Sequence, residues 1–387
     1  APFDGLQSTD PVSEEMALAR LRQLSAHEIG HTLGLAHNFA ASVNNRASVM
    51  DYPHPYLALN SDGSLDFSKA YDDQIGEWDK RAILYGYQDF PDGADEEAEL
   101  KRILQENIRL GLQYISDDGA RPASSAHPQA HLWDNGPDAV AELRRLSRVR
   151  ANALQHFGEK NIPQGRIMAD LERVLVPLYL AHRYQTEAVS KLVGGVRYTY
   201  AVRGDGQATN EPLSETLQQN ALNALIETMS PDFLALPENV IRQIPPQPIG
   251  FDRDRELFKS NTGGFFDPLA AAASSAGLTL EALLLPERLN RVVEQAARGS
   301  AGDFSLSKIL QQLRTALLPS VHTDNPMQAE IRRTVRQTYL HQLLADGHRI
   351  PTRAEYEIPD QRPAAVRHRH HYMHHVAADA DVVDQAQ

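Results

Sequence analysis

Apolar residues recur at helical spacing ahead of a histidine-rich stretch near the start of the chain. Leu18 and Leu21 follow this spacing, and Pro11 suits the first turn of a helix. The pattern predicts a helix from about residue 12 to residue 33. Gly34 then stands where a helix end favours a left-handed residue, so we expect the chain to turn there.

Downstream of residue 88 the pattern is mainly helical. The turn-forming residues 89–93 mark a boundary, so we predict two domains, 1–87 and 88–387. Pro177 is expected to kink its helix, and the alternation over 196–203 predicts a half-buried strand. The apolar run 269–285 is interrupted by Ser, Gly and Glu, so we interpret it as two buried helices rather than a membrane span. Helices are predicted at 95–112, 138–157, 166–193, 213–229, 267–275, 279–297, 305–317 and 326–345.

The run from residue 27 to residue 37 contains three histidines and a glutamate at spacings that suit one zinc ion. His27 and His31 are four residues apart, so their rings project from one face of a helix. A turn at Gly34 brings His37 round as a third ligand. Three protein ligands leave a fourth position for water, which is typical of a catalytic zinc site. Glu28 lies beside the ligands and need not be one itself.

The pattern H-E-x-x-H-x-x-G-x-x-H, followed thirteen residues later by Met50, resembles the metzincin clan of zinc endopeptidases. More closely, the chain resembles the C-terminal portion of large bacterial zinc-dependent metzincin-type proteins. The resemblance implies that Met50 forms an apolar floor under the metal and that residues 75–87 form the helix closing the lower subdomain. The predicted fold is therefore α+β and predominantly α-helical, with a metzincin lower subdomain (zinc helix, Met-turn and closing helix) packed with a mainly helical C-terminal domain.

The resemblance implies peptide hydrolysis by a zinc-activated water, with Glu28 as general base and then general acid. Tyr52 matches the place where related enzymes keep a tyrosine that binds the metal or stabilises the transition state; the alternative is a tyrosine that only packs in the turn. A second hypothesis is a non-catalytic binding module that zinc stabilises. A third is zinc hydrolysis of a non-peptide substrate. Retention of Glu28 favours catalysis, because a structural zinc site needs no general base.

One departure from the resemblance concerns the substrate-binding sheet. In metzincins about a hundred residues of twisted sheet precede the zinc helix and bind the substrate backbone, whereas only 26 residues precede His27 here. We therefore expect this chain to be one piece of a longer polypeptide, with the upstream catalytic subdomain as a partner besides the peptide or protein substrate. Alone, this piece is expected to bind zinc but not necessarily to cleave a substrate.

Composition narrows the choice of partners. The chain has 51 acidic and 38 basic side chains, a net charge of −13, which argues against nucleic acid and anionic membranes as partners. Cysteine is absent, so disulfides and thiolate metal sites are excluded. The first residues do not form a signal peptide. The resemblance nevertheless implies export, to a periplasmic or extracellular location.

Three weaker constellations remain open. Oxygen donors alternate from Asn60 to Asp66 as in a calcium loop, although an ordinary turn is the favoured interpretation because residue 71 is not a glutamate. The loop at residues 116–137, with His127, His131, Trp133 and Asp134, is either a wall of the substrate cleft or a connector between domains. The C-terminal histidines form either a polar tail or a docking helix. They are His368, His370, His371, His374 and His375.

Overall fold

The computed structural model describes residues 11–300, 302–318 and 325–346, and most of these residues are helical. The helices are α1 (Pro11–Thr32), α2 (Glu77–Tyr87), α3 (Glu96–Arg109), α4 (Asp117–Ala120), α5 (Ala139–Gln155), α6 (Asp170–Tyr179), α7 (Arg183–Ser190), α8 (Glu215–Glu227), α9 (Pro231–Leu234), α10 (Glu238–Ile241), α11 (Pro268–Leu283), α12 (Pro286–Ala297), α13 (Leu306–Leu317) and α14 (Pro326–Asp346). Two antiparallel ribbons pair β1 (Ala58–Leu59) with β2 (Leu65–Asp66), and β3 (Val196–Arg197) with β4 (Glu211–Pro212). The predicted α+β, predominantly helical fold is confirmed.

Helix α1 spans 22 residues and ends as predicted before Gly34, whose φ of +82° is the left-handed conformation that favours glycine. Only Gln23, His27 and Gly30 of this helix are buried. The opposite side carries apolar side chains in solvent, with Leu21 57% and Ile29 59% exposed. One narrow face of α1 therefore packs against the rest of the structure, and it is the face that carries His27.

Helix α11 lies at the centre of the main core, where it packs against α7, α9 and α14. The side chain of Asp267 caps its first turn by accepting from the amides of Leu269 and Ala270, and Pro268 fills the first helical position. Small side chains on the buried face let the neighbouring helices approach closely. They are Ala270, Ala271, Ala272, Ser275, Ala276 and Thr279.

The predicted break inside the apolar run is wrong. We expected separate helices at 267–275 and 279–297, but α11 continues through Gly277 and the chain bends only at 284–285, ahead of Pro286. A Cβ added to Gly277 would meet Thr338 of α14 at 3.9 Å, an ordinary van der Waals contact, so the glycine lies inside the helix facing α14 and does not form a turn. The break falls instead where proline excludes helical continuation of the preceding residue.

Two further predicted elements are wrong in extent. The helix predicted at 166–193 is two helices, α6 and α7; α6 begins only at Asp170 and ends at Tyr179, so Pro177 lies inside α6 close to its end. The strand predicted at 196–203 forms a ladder with β4 only at 196–197, and beyond it the amide of Thr199 makes a single further bond to Ala208 O (3.0 Å). Beyond these two residues the tyrosine side chains pack on residues 114–127 instead: Tyr198 contacts His127, and Tyr200 contacts Tyr114.

Residues 113–135, which we call segment 113–135, lie directly against the chain that follows α1. The amide of Phe39 donates to Ile115 O (2.9 Å), and the amide of His131 donates to Phe39 O (3.2 Å). The buried ammonium of Lys191 donates to the carbonyl oxygens of Ala120 and Ala130, which anchors the segment on α7 and its C-terminus. The described residues fall within one compact unit. The division at residue 88 stays a prediction.

Among the described residues, no single helix is long and apolar enough to cross a membrane. Helices α11 and α12 pass the criteria of length and composition only when taken together as a bent pair. The C-terminal histidines at residues 368–375 lie outside the described residues.

Candidate metal centre

The three predicted ligands come together. His27 and His31 project from the last turns of α1, and the turn at Gly34 returns the chain so that His37 faces them. One ring nitrogen from each of His27, His31 and His37 lies within 4.8 Å of the other two. The Nε2 atoms of His27 and His31 are 3.0 Å apart. His27 is buried, and the other two rings are partly buried.

The second ring nitrogen of each histidine is engaged by an oxygen that can only accept a hydrogen. His27 Nδ1 donates to Val49 O (2.6 Å), and His31 Nδ1 donates to Leu35 O (2.9 Å). His37 Nδ1 donates to the carboxylate of Asp117, 3.0 and 3.1 Å from its two oxygens. These bonds place the hydrogen on Nδ1 and leave each Nε2 as a lone-pair donor. Three lone pairs directed at one another fit a cation, and neutral imidazoles are good zinc ligands.

Burial also keeps the first ligand neutral. Desolvation lowers the pKa of His27 to about 4, the hydrogen bond to Val49 O acts in the opposite direction, and the neighbouring histidines lower it further. Burial alone would raise the pKa of Asp117, but the hydrogen bond from His37 and the pairing with Arg121 hold it well below its usual range. The centre therefore combines a neutral imidazole at His27 with an ionised carboxylate behind His37.

The Met-turn, residues 48–53, lies beneath the histidines. Met50 is fully buried, and its carbonyl accepts from the amide of Asn38, the residue after the third histidine (3.0 Å). A Cβ added to Gly30 would lie 2.3 Å from Met50 Sδ. Glycine at this position therefore lets the methionine approach α1 between the two ligands of that helix. This contact provides a packing explanation for the role that the resemblance implies for Met50, that of an apolar floor under the metal.

The carboxylate of Asp79 joins the Met-turn to the start of α2. It accepts from Ser48 Oγ (2.5 Å), from the amide of Val49 (2.8 Å) and from the amide of Gly76 (2.7 Å). Val49 is the residue whose carbonyl receives the His27 ring hydrogen. Asp79 thus holds, through the single residue Val49, the acceptor that orients the first ligand.

Tyr52 lies next to the third ligand. Its hydroxyl oxygen lies 3.0 Å from His37 Nε2, in the region where the three Nε2 atoms converge. The Tyr52 ring stacks on Trp133, with centroids 5.3 Å apart, and the Arg121 guanidinium lies 5.2 Å from the centroid of the same ring. Trp133 has a φ of +63°, an uncommon conformation for a residue with a side chain. Segment 113–135 therefore forms a wall beside the metal centre.

Glu28 differs from the residues around it because its side chain is exposed. It makes no hydrogen bond or ion pair to any residue that the structure describes. In the sequence of α1, Glu28 stands between two of the predicted ligands. Because no described residue bonds to its carboxylate, the carboxylate is available to a water or a substrate.

The oxygen donors at 60–66 form the connection of a hairpin. Asp62 Oδ1 accepts from the amide and hydroxyl of Ser64 (2.9 and 2.6 Å), and Gly63 has a φ of +82° between β1 and β2. The donors therefore bond within the turn, which supports the favoured interpretation of this stretch.

Sequence reasoning missed Gly30, Asp79 and Asp117. Gly30 occupies one of the two unspecified positions of H-E-x-x-H, so the motif gives no indication of its contact with Met50. Asp79 lies in the first turn of a predicted helix, where a capping role was the available signal. Asp117 is 80 residues from His37, and no local pattern connects the two.

Comparison with known proteins agrees with this geometry. The family model described as Met-zincin matches residues 9–325, so the chain belongs to the Met-zincin family. No curated protein and no solved structure matches the chain. The family and the three-histidine cluster together identify a zinc-metallopeptidase-like domain, and the predicted metzincin resemblance is confirmed.

Replacement of Gly30 by alanine is expected to destabilise the protein, since the new methyl group overlaps Met50 Sδ in a fully buried position. We expect a loss of about 1–3 kcal/mol, as for other overpacked sites, seen as a lower midpoint in thermal unfolding followed by circular dichroism. Gly86→Ala is the matched control, because its methyl group meets nothing within 4 Å and alanine favours the helix. Equal midpoints for the two variants would contradict the packing argument.

Proposed function

We propose that the chain is the zinc-binding part of a metalloendopeptidase. The observation that carries this proposal is the convergence of one ring nitrogen from each of three histidines, next to a helix that also carries Glu28, an exposed carboxylate with no partner among the described residues. A purely structural zinc site needs the three ligands but has no use for a free carboxylate on the same helix. Membership of the Met-zincin family supports the same reaction class.

His27, His31 and His37 would hold one zinc ion. When bound, zinc supplies Lewis acidity, which lowers the pKa of a water and polarises a carbonyl group. Glu28 accepts the proton of the attacking water and later returns it to the amine that leaves. Its exposure lets it reach both groups without breaking an existing bond.

Tyr52 is proposed to donate its hydroxyl hydrogen to the oxyanion that develops on the scissile carbonyl. The hydroxyl already lies 3.0 Å from His37 Nε2, and Trp133 and Arg121 restrict the ring. A donor that is positioned before the reaction needs no reorganisation when charge develops, and one such donor contributes about 3 kcal/mol.

The exposed side of α1 supports the proposal of an upstream catalytic subdomain as a partner. Leu18, Leu21 and Ile29 are between 39% and 59% exposed on this helix, and Tyr87 of α2 is 59% exposed. Apolar side chains exposed together on one side of a helix offer a surface that a partner can cover. We propose that the upstream subdomain covers it, that peptide substrate binds between the two parts, and that the protein acts in a periplasmic or extracellular location.

The decisive variant is Glu28→Gln, which keeps the size of the side chain and removes its basicity. We expect stoichiometric zinc by mass spectrometry in both the parent and the variant, and loss of cleavage of an unstructured protein substrate in the variant alone. Glu14→Gln, an exposed position on the same helix, serves as the control and keeps full activity.

The same assay is run on this chain and on a version extended upstream. If only the extended version cleaves the substrate, and a chelator stops the cleavage, the upstream subdomain is required for zinc-dependent activity. Zinc in every version without cleavage in any would contradict the peptidase and favour a zinc-stabilised binding module. Absence of zinc from the parent would contradict the metal site itself.

Tyr52→Phe removes the proposed oxyanion donor and keeps the ring. We expect kcat to fall about 100-fold, because one preorganised hydrogen bond is lost from the transition state, with little change in zinc content. Tyr85→Phe, at an exposed tyrosine of α2, is the matched control. An unchanged kcat in Tyr52→Phe would assign the tyrosine a packing role only.

A further inference from the structure

The carboxylate behind His37 comes from a part of the chain that the metzincin motif does not include. Asp117 is the first residue of α4 in segment 113–135, and both of its oxygens lie within 3.1 Å of His37 Nδ1. The Nδ1 atoms of His27 and His31 donate to peptide carbonyls instead. The third ligand is therefore the only one of the three that has a charged acceptor.

Asp117 is held from several sides. Arg121, one helical turn later, pairs with its carboxylate, and Ser116 Oγ donates to it (3.1 Å). The Arg121 guanidinium also lies 5.3 Å from the centroid of the Phe39 ring and 5.2 Å from that of Tyr52. The position of the carboxylate is thus coupled to the two aromatic residues that flank His37 in the centre.

The backbone around Asp117 is fixed to the residue after His37. Asn38 is fully buried, its Nδ2 donates to Gln113 O (2.9 Å), and its Oδ1 accepts from the amide of Ile115 (3.3 Å). A Cβ at Gly119 would lie 2.6 Å from Ile115 Cγ2, so the turn that carries Asp117 packs tightly on the same residue. These contacts hold the ligand and the carboxylate in one rigid arrangement.

A carboxylate that accepts from a ligand imidazole has two effects. It fixes the ring in one orientation and one tautomer, and it raises the basicity of the nitrogen that binds the metal. A neutral carbonyl acceptor gives the first effect and little of the second. The arrangement at His37 supplies both.

We propose that Asp117 is a positioning residue of the metal centre: its carboxylate, held by Arg121, fixes His37 so that Nε2 faces the point shared with His27 and His31. Segment 113–135 is then part of the centre and not a connector. This inference rests on the proposed zinc site, although not on peptide hydrolysis. The wall that segment 113–135 forms beside the centre then also determines the affinity for the metal.

The test measures zinc affinity by competition with a chromophoric chelator in the wild type, Asp117→Ala, Asp117→Asn and Asp118→Asn. We expect zinc binding about 10 to 100-fold weaker in Asp117→Ala, the effect of removing such an outer carboxylate elsewhere. Asp117→Asn keeps an acceptor without charge and is expected to lie between Asp117→Ala and the wild type. Asp118→Asn, at the exposed neighbour, is the matched control and binds like the wild type.

A second measurement separates positioning from general stability. The visible absorption of bound Co²⁺ reports the ligand field, so we expect it to change in the Asp117 variants and to match the wild type in Asp118→Asn. Circular dichroism checks that each variant folds. If Asp117→Ala does not fold, Asp117→Asn and Arg121→Gln test the inference instead, and each is expected to bind zinc more weakly than the wild type.

The outcomes distinguish this inference from the proposed function. Wild-type affinity and an unchanged cobalt spectrum in the folded Asp117 variants would overturn the inference and leave the peptidase proposal intact. A wild-type chain that binds no zinc would overturn both.

Discussion

Three imidazole rings can share one cation only if each keeps its Nε2 lone pair free, and this depends on what each Nδ1 hydrogen binds. In this protein the three acceptors are Val49 O, Leu35 O and the carboxylate of Asp117. They come from three different stretches of chain: the Met-turn, the residues after α1, and segment 113–135. Most of the described structure around the centre can be understood as the means of placing these three oxygens.

Each acceptor has its own support. The Met-turn is held by Asp79 at the start of α2, which accepts from Ser48 and from the amide of Val49. Leu35 O is placed by the left-handed turn at Gly34. Segment 113–135 is anchored on one side by Asn38 and on the other by the buried Lys191. The helical region after residue 88 therefore contributes directly to the centre, because it provides the acceptor for the third ligand.

The local parts of this arrangement could be predicted from the sequence. The spacing of His27, His31 and His37 and the glycine at position 34 determine a helix, a turn and a convergence within eleven residues. Helices with clear caps, such as α5 and α11 at their starts, were also placed within two residues. Local rules suffice wherever the determining contacts are close in the chain.

The long-range parts could not be predicted. The bond from His37 to Asp117 joins residues 80 positions apart, and no pattern around Asp117 marks it as an acceptor. The strand expected over 196–203 forms a ladder only at its first two residues, and Tyr198 and Tyr200 pack on residues of segment 113–135, a tertiary contact that the alternation of the sequence does not reveal. Gly277 likewise does not interrupt its helix, because α11 is held by packing against α7, α9 and α14 along its length and one glycine costs a helix only about 1 kcal/mol.

The central claim is that three imidazoles of this chain converge on one metal ion. X-ray absorption at the zinc edge of the zinc-loaded protein tests it most directly, because the outer-shell scattering of imidazole rings counts the histidine ligands. We predict one zinc per chain with three imidazole ligands and a remaining light-atom ligand. Zinc bound by fewer than three imidazoles, or spread over several sites, would contradict the account.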